Sequence, residues 1–134
     1  QHLCPKAGPT SNFGFCSMNC SDSSQCREQE QCKWFAEGRA CGQAGTGQAG
    51  DACSFYENCG GERTCLNWTG GYCARANCTS NADCESNTFC SSVNGSNVCV
   101  RRCGGSEPAC RLAEGYTCKS LTDVAGGSAQ GCAK

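Results

Sequence analysis

The side chains of this chain best equipped for chemistry are its 18 cysteines. Thiolates can hold zinc or iron–sulfur clusters, act as nucleophiles when their pKa is lowered, or pair as disulfides. Zinc knuckles typically use C-x2-C with His as a partner, but this chain has neither C-x2-C nor C-x-C, and its one His is His2. A thioredoxin-type redox motif is absent for the same reason, and a nucleophilic triad would rest on that terminal His2. The four Asp and eight Glu are scattered, with no D-x-[DN]-x-[DN]-G calcium loop. The cysteines therefore read as staples. No cofactor, metal ligand or catalytic residue is expected, and the chain is expected not to be an enzyme.

Composition explains why staples are needed. The chain has no Ile, four Leu, four Val and five Phe in 134 residues, about a tenth of the total. That is too little apolar mass for one large core. Eighteen is an even number, so every cysteine can be paired, and such a set persists in an oxidising compartment. A first residue Gln1 rather than Met is what removal of a signal peptide would leave, as would any other cut. A secreted, extracellular location is expected. Eleven basic and twelve acidic residues are thinly spread, so no basic stripe exists to neutralise a nucleic acid, and no apolar run is long enough to span a membrane.

Stepping from the thiols to what must position them, the cysteines repeat as C-x5-C-x5-C-x7 or x8-C. The copies are Cys20, Cys26, Cys32, Cys41; Cys53, Cys59, Cys65, Cys73; and Cys78, Cys84, Cys90, Cys99. A looser fourth is Cys103, Cys110, Cys118, Cys132. Ser21, Ser54 and Thr79 follow the first cysteine of the strict copies, and Gln25, Asn58 and Asp83 precede the second, as expected of side chains that close turns. Three residues past the third cysteine stand Phe35, Trp68, Val93 and Leu121. Glu37-Gly38, Gly70-Gly71 and Asn94-Gly95 then mark tight turns.

The expected fold class is small and disulfide-rich: tandem four-cysteine modules, each ending in a short β-hairpin, with little helix beyond one turn within residues 23–38. Cys4 and Cys16 look like the second half of a clipped leading module. If first pairs with third and second with fourth, these two bond to each other, although four cysteines permit three connectivities. Residues 1–41 form the leading unit, 42–52 (GQAGTGQAGDA) a Gly/Ala/Gln connector or an ordered loop, and 53–77, 78–102 and 103–134 the following modules.

Several aromatics exceed what stapling needs. Trp34, Phe13, Phe15, Phe55 and Tyr56 are the candidate interface residues, whereas Phe35 and Trp68 are expected to pack on their own bridges. Asn19, Asn67, Asn77 and Asn94 lie in sequons that could carry glycans in a eukaryotic host. Arg39, Arg63 and Arg101-Arg102 lie near cysteines, as a loop entering a trypsin-like pocket would require.

The run GGYCARANCTSNADCESNTFC, continued by VCVRRC and EGYTCKSL, resembles the short cysteine-rich repeats of secreted and surface proteins of some bacteria. Dickkopf-like and EB-type extracellular modules are more distant likenesses. The resemblance implies extracellular binding, adhesion or structural spacing, and carries over no functional residue because the shared positions are scaffold. The function expected is a secreted, non-enzymatic structural or adhesive protein that assembles into filaments or matrix, its partner being itself or another extracellular protein or surface. The alternative is a soluble binder such as a protease inhibitor or receptor-directed effector.

Overall fold

The computed structural model describes residues 2–3, 17–35, 38–105 and 109–134. Its secondary structure is short antiparallel pairs. β1 (His2–Leu3) pairs with β2 (Ser17–Met18), and four hairpins follow: β3 (Glu30–Phe35) with β4 (Gly38–Gln43), β5 (Thr64–Leu66) with β6 (Tyr72–Ala74), β7 (Thr88–Val93) with β8 (Ser96–Arg101), and β9 (Thr117–Thr122) with β10 (Ser128–Ala133). The only helical pieces among the described residues are three-residue 3-10 turns. The fold is the small disulfide-rich, hairpin-bearing class that the cysteine grammar predicts.

In every hairpin the third and fourth cysteines stand directly opposite: Cys32 with Cys41, Cys65 with Cys73, Cys90 with Cys99, Cys118 with Cys132. They do not bond to each other. The third takes the first cysteine and the fourth takes the second, giving Cys20–Cys32 and Cys26–Cys41, Cys53–Cys65 and Cys59–Cys73, Cys78–Cys90 and Cys84–Cys99, and Cys103–Cys118 and Cys110–Cys132. Two bridges thereby pin the upstream loop across each hairpin. A lone two-stranded hairpin is at best marginal in water, and β5 and β6 have three residues each. A bridge closing a loop of this size contributes about 2–4 kcal/mol, chiefly by restricting the unfolded chain. Cys4 and Cys16 lie outside the described residues.

The loop between first and second cysteines is closed by the side chains flagged in the sequence. Gln25 Oε1 accepts the N–H groups of Ser21 (2.6 Å) and Asp22 (3.2 Å). Asn58 Oδ1 accepts those of Ser54 (2.9 Å) and Phe55 (3.0 Å), and Asp83 Oδ2 those of Thr79 (2.8 Å) and Ser80 (3.3 Å). A side-chain acceptor oxygen at one position, from Gln, Asn or Asp, thus shapes the same 3-10 turn three times. The helical turn expected within residues 23–38 is Ser23–Gln25. Asn94 and Gly95 have φ of 53° and 83°, the paired positive values of a type I′ hairpin turn. Of the dipeptide Glu37-Gly38, Glu37 lies outside the described residues.

The chain divides into two compact units, Gln1–Asn77 and Cys78–Lys134. Within the first, residues 42–52 lie against module two. Gly45 N–H donates to Cys59 O, Gly47 N–H to Asn58 O and Gly50 N–H to Cys73 O, each at 2.9 Å, and Ala49 is buried. Its glycines are there for close approach: a Cβ on Gly45 would sit 2.2 Å from the Glu57 carbonyl oxygen. Of the two readings of the Gly/Ala/Gln run, flexible connector and ordered loop, these bonds match the ordered loop, and the division between units falls after Asn77.

Within the second unit, module four packs on module three. A Cβ on Gly131 would lie 2.7 Å from Val100 and 2.9 Å from the Phe89 ring, so β10 can reach that core only as glycine. Ser91 Oγ donates to Thr122 O at 2.7 Å, and Val124 N–H to Cys90 O at 3.0 Å.

Candidate functional site

Three sulfurs of each module lie within 4.8 Å of one another: Cys20, Cys26 and Cys41; Cys53, Cys59 and Cys73; Cys78, Cys84 and Cys90; Cys103, Cys110 and Cys132. All belong to disulfides. A sulfur already bonded to sulfur carries no thiolate charge, so these clusters are stacked bridges, which do not match the donor set of a zinc centre.

The chemistry of the first unit concentrates where module one meets module two. Alternation along β3 puts Cys32 on the bridge side and turns Lys33 the other way. Lys33 is 0% exposed. Its Nζ donates to the carbonyl oxygens of Cys59 (2.9 Å), Gly61 (3.1 Å) and Arg63 (2.7 Å), so each ammonium hydrogen has an acceptor. Burial pushes its pKa from the ordinary 10.5 down to about 8, the Arg63 charge adding to the effect. At pH 7 it remains an ammonium, with its three charge-assisted hydrogen bonds intact.

Trp34 is half-buried at the same junction. Its backbone N–H donates to Glu62 O at 2.9 Å, and two guanidinium groups lie over its ring, Arg39 at 4.4 Å and Arg75 at 4.1 Å from the centroid. Arg39 also reaches Ser21 O, Cys32 O at 3.0 Å and the Glu62 carboxylate at 3.0 Å. Phe35 is buried and meets Tyr56 edge-on at 5.6 Å. Burial, with Glu57 and Glu30 nearby, raises the Tyr56 phenol above its ordinary value.

Of the five candidate interface aromatics, Trp34 and Tyr56 therefore lie at a junction inside the unit, and Phe55 is exposed at 42%. Phe13 and Phe15 lie outside the described residues. Trp68, expected to pack at home, is half-buried and tilted on Tyr72 at 4.5 Å, forming one wall of a shallow cleft with Ser54, Asn67, Thr69 and the Gly70-Gly71 turn. The sequon residues Asn19, Asn67, Asn77 and Asn94 are all exposed, and Asn77 Nδ2 donates to Phe35 O at 2.9 Å. The basic residues proposed for a protease pocket are partly engaged inside the fold: Arg39 as above, Arg63 Nε donating to Gly47 O at 3.1 Å, and Arg102 over the Phe89 ring at 5.1 Å.

Lys33 is the residue that sequence reasoning passed over. Its signal was faint: a lysine directly after the third cysteine, on the face of a hairpin strand that a bridge does not cover.

The class defined by these features is a tandem array of double-disulfide hairpin modules, joined pairwise through the strand that carries the third cysteine. It is a disulfide-stabilised small protein whose dense bridges fit an extracellular setting. No described helix is long and apolar enough to cross a membrane. Comparison with protein-family models, curated proteins and solved structures finds no match to this chain.

Proposed function

We propose that this is a secreted, non-enzymatic structural or adhesive protein that assembles with further copies of itself outside the cell. The observation that carries the reading is how the chain uses its repeat. Within Gln1–Asn77, module one offers the strand bearing its third cysteine to module two, through Lys33 and Trp34; within Cys78–Lys134, module three does so to module four, through Cys90 and Ser91. Contact between neighbouring modules is thus one use the chain makes of side chains that are not bridged. Repeats that join in this way extend readily into one-dimensional assemblies. Exposed apolar side chains on different modules, Met18, Phe55, Leu112 at 66% and Val124, supply surface for further contact. The cleft beside Trp68 is lined by no titratable side chain, which speaks for recognition rather than acid–base chemistry there. Sedimentation velocity of the unreduced protein across a wide concentration range tests the reading. Reversible growth to larger species is expected, and a monomer at every concentration would overturn it.

A further inference from the structure

Module two departs from the repeat at its hairpin tip. In modules one and three the ladder runs three residues past the third cysteine, to Phe35 opposite Gly38 and Val93 opposite Ser96. In module two it stops one residue past, at Leu66 opposite Tyr72, although the spacing from third to fourth cysteine is only one residue shorter. Residues 67–71 leave the ladder instead. Gly70 and Gly71 both take left-handed φ, 71° and 74°, which glycine adopts at little steric cost. The loop then folds back on the segment of the first cysteine: Cys53 N–H donates to Gly70 O at 3.2 Å, and a Cβ on Gly71 would lie 1.9 Å from the Cys53 carbonyl oxygen. What this opens is the cleft between Ser54 and residues 67–71.

The same departure brings out a residue that module one keeps inside. Phe35, three residues past its cysteine, is buried, whereas Trp68 at the matching position is half-buried and lines the cleft. Tyr72, itself buried, packs on the Trp68 ring at 4.5 Å and fixes it. Beside the ring stand Ser54, Asn67 and Thr69, all exposed, whose hydroxyl and amide groups both donate and accept hydrogen bonds. No charged side chain belongs to the lining.

An aromatic ring with neutral donors and acceptors around it matches a neutral saccharide, whose C–H face is apolar and whose hydroxyls radiate from the edge. A charged ligand would find no counter-charge in this lining. A proline-rich peptide, which docks in a groove of several aromatic rings, would find one, since Tyr72 is buried. We propose that the cleft binds a neutral saccharide, with Trp68 as the platform for a sugar face and Ser54, Asn67 and Thr69 bonding to its hydroxyls. The site goes beyond the self-assembly reading and does not depend on it, because every part of it lies within module two.

NMR titration tests the site on isotope-labelled, unreduced protein produced in a bacterial periplasm, so that Asn67 carries no glycan. The probes are neutral trimers of glucose, N-acetylglucosamine, mannose, galactose and xylose at millimolar concentration, with a galacturonate trimer and a proline-rich peptide for comparison. At least one neutral trimer should shift the Trp68 indole N–H together with the amides of Ser54 and residues 67–71. W68A should weaken that binding by roughly tenfold or more, the scale of losing an anchoring aromatic. S54A/T69A leaves the ring and its Tyr72 support in place, so it should weaken binding severalfold with an unchanged peptide map of the bridges, and it decides the matter if W68A fails to fold. No shift with any neutral trimer, shifts confined to other modules, affinity that the variants leave intact, or tighter binding of the galacturonate or the peptide would each overturn the proposal. Self-association is read separately by sedimentation, so neither result stands in for the other.

Discussion

Lys33→Met removes the charge at the junction of modules one and two while keeping much of the side chain's length, so its effect can be worked from the three bonds it deletes. The carbonyls of Cys59, Gly61 and Arg63 would lose their shared donor in a buried site. A buried polar group left unsatisfied costs about 1–3 kcal/mol, although Cys59 O keeps the N–H of Gly45. Against this stands the burial of the ammonium. The fall of the Lys33 pKa from 10.5 to about 8 amounts, at about 1.4 kcal/mol per pH unit, to a penalty of about 3 kcal/mol that methionine does not carry. With Gly61 O and Arg63 O losing that donor at that cost, the two effects largely offset, and the balance at pH 7 is a destabilisation of no more than about 3 kcal/mol. The pH dependence has a definite sign. Between about 8 and 10.5 the unfolded chain holds a proton at Lys33 that the folded chain has released, so wild-type stability gains from this group as pH rises through that window. K33M lacks that gain, and the gap between the two proteins should widen by up to about 3 kcal/mol from pH 7.5 to pH 10. Urea unfolding with bridges intact, followed through Trp34 fluorescence beside the lysine, measures both. A gap that stays constant or narrows as pH rises from 7.5 to 10 would refute this account of the junction.

Three further outcomes follow from the same geometry. Gly131→Val places methyl groups where Val100 and Phe89 already lie 2.7 and 2.9 Å from a Cβ; overpacking of this kind costs about 1–3 kcal/mol, and hydrogen exchange should show it as faster opening of β7–β10, with β3–β6 unchanged. Arg39→Ala removes one of the two guanidinium groups over Trp34 and the 3.0 Å pair with Glu62; a loss of about 1–2 kcal/mol is expected, with Trp34 emission shifted to the red as water reaches the ring. Asp123 accepts the N–H groups of Ala125 and Gly127 in the β9–β10 turn, and those bonds, that of Gly127 foremost, hold its carboxyl below the ordinary 3.8. This contribution is present above that value and lost as pH falls through the lower folded pKa, so the acid-induced loosening of this turn, seen by NMR amide shifts, should be absent in D123N, whose amides should look acid-like already at pH 7.

The cysteine spacing carried the fold almost unaided because it encodes topology directly. The x5 spacing marked the repeat and its loops, while the choice of first with third and second with fourth among three connectivities is read from the structure; Gln25, Asn58 and Asp83 shape the loop from one position each. Asn94-Gly95 likewise announced its turn through backbone sterics alone. Residues 42–52 were opaque because glycine serves both a mobile tether and a strap in close backbone contact, and only the partner carbonyls of Asn58, Cys59 and Cys73 tell the two apart. Lys33 and the Trp34 contacts were opaque for a related reason: the Lys33 acceptors lie 26 or more residues away, and one of the two guanidinium groups on Trp34, Arg75, belongs to the next module. Composition places lysine and arginine on the surface by default, and nothing local marks one that a neighbouring module's carbonyls will enclose.

The central claim is that these stapled modules exist to be joined end to end, within the chain and between chains. Negative-stain electron microscopy of unreduced protein tests it most directly. The account predicts regular filaments or sheets, and uniform single particles of about 14.0 kDa at every concentration would contradict it.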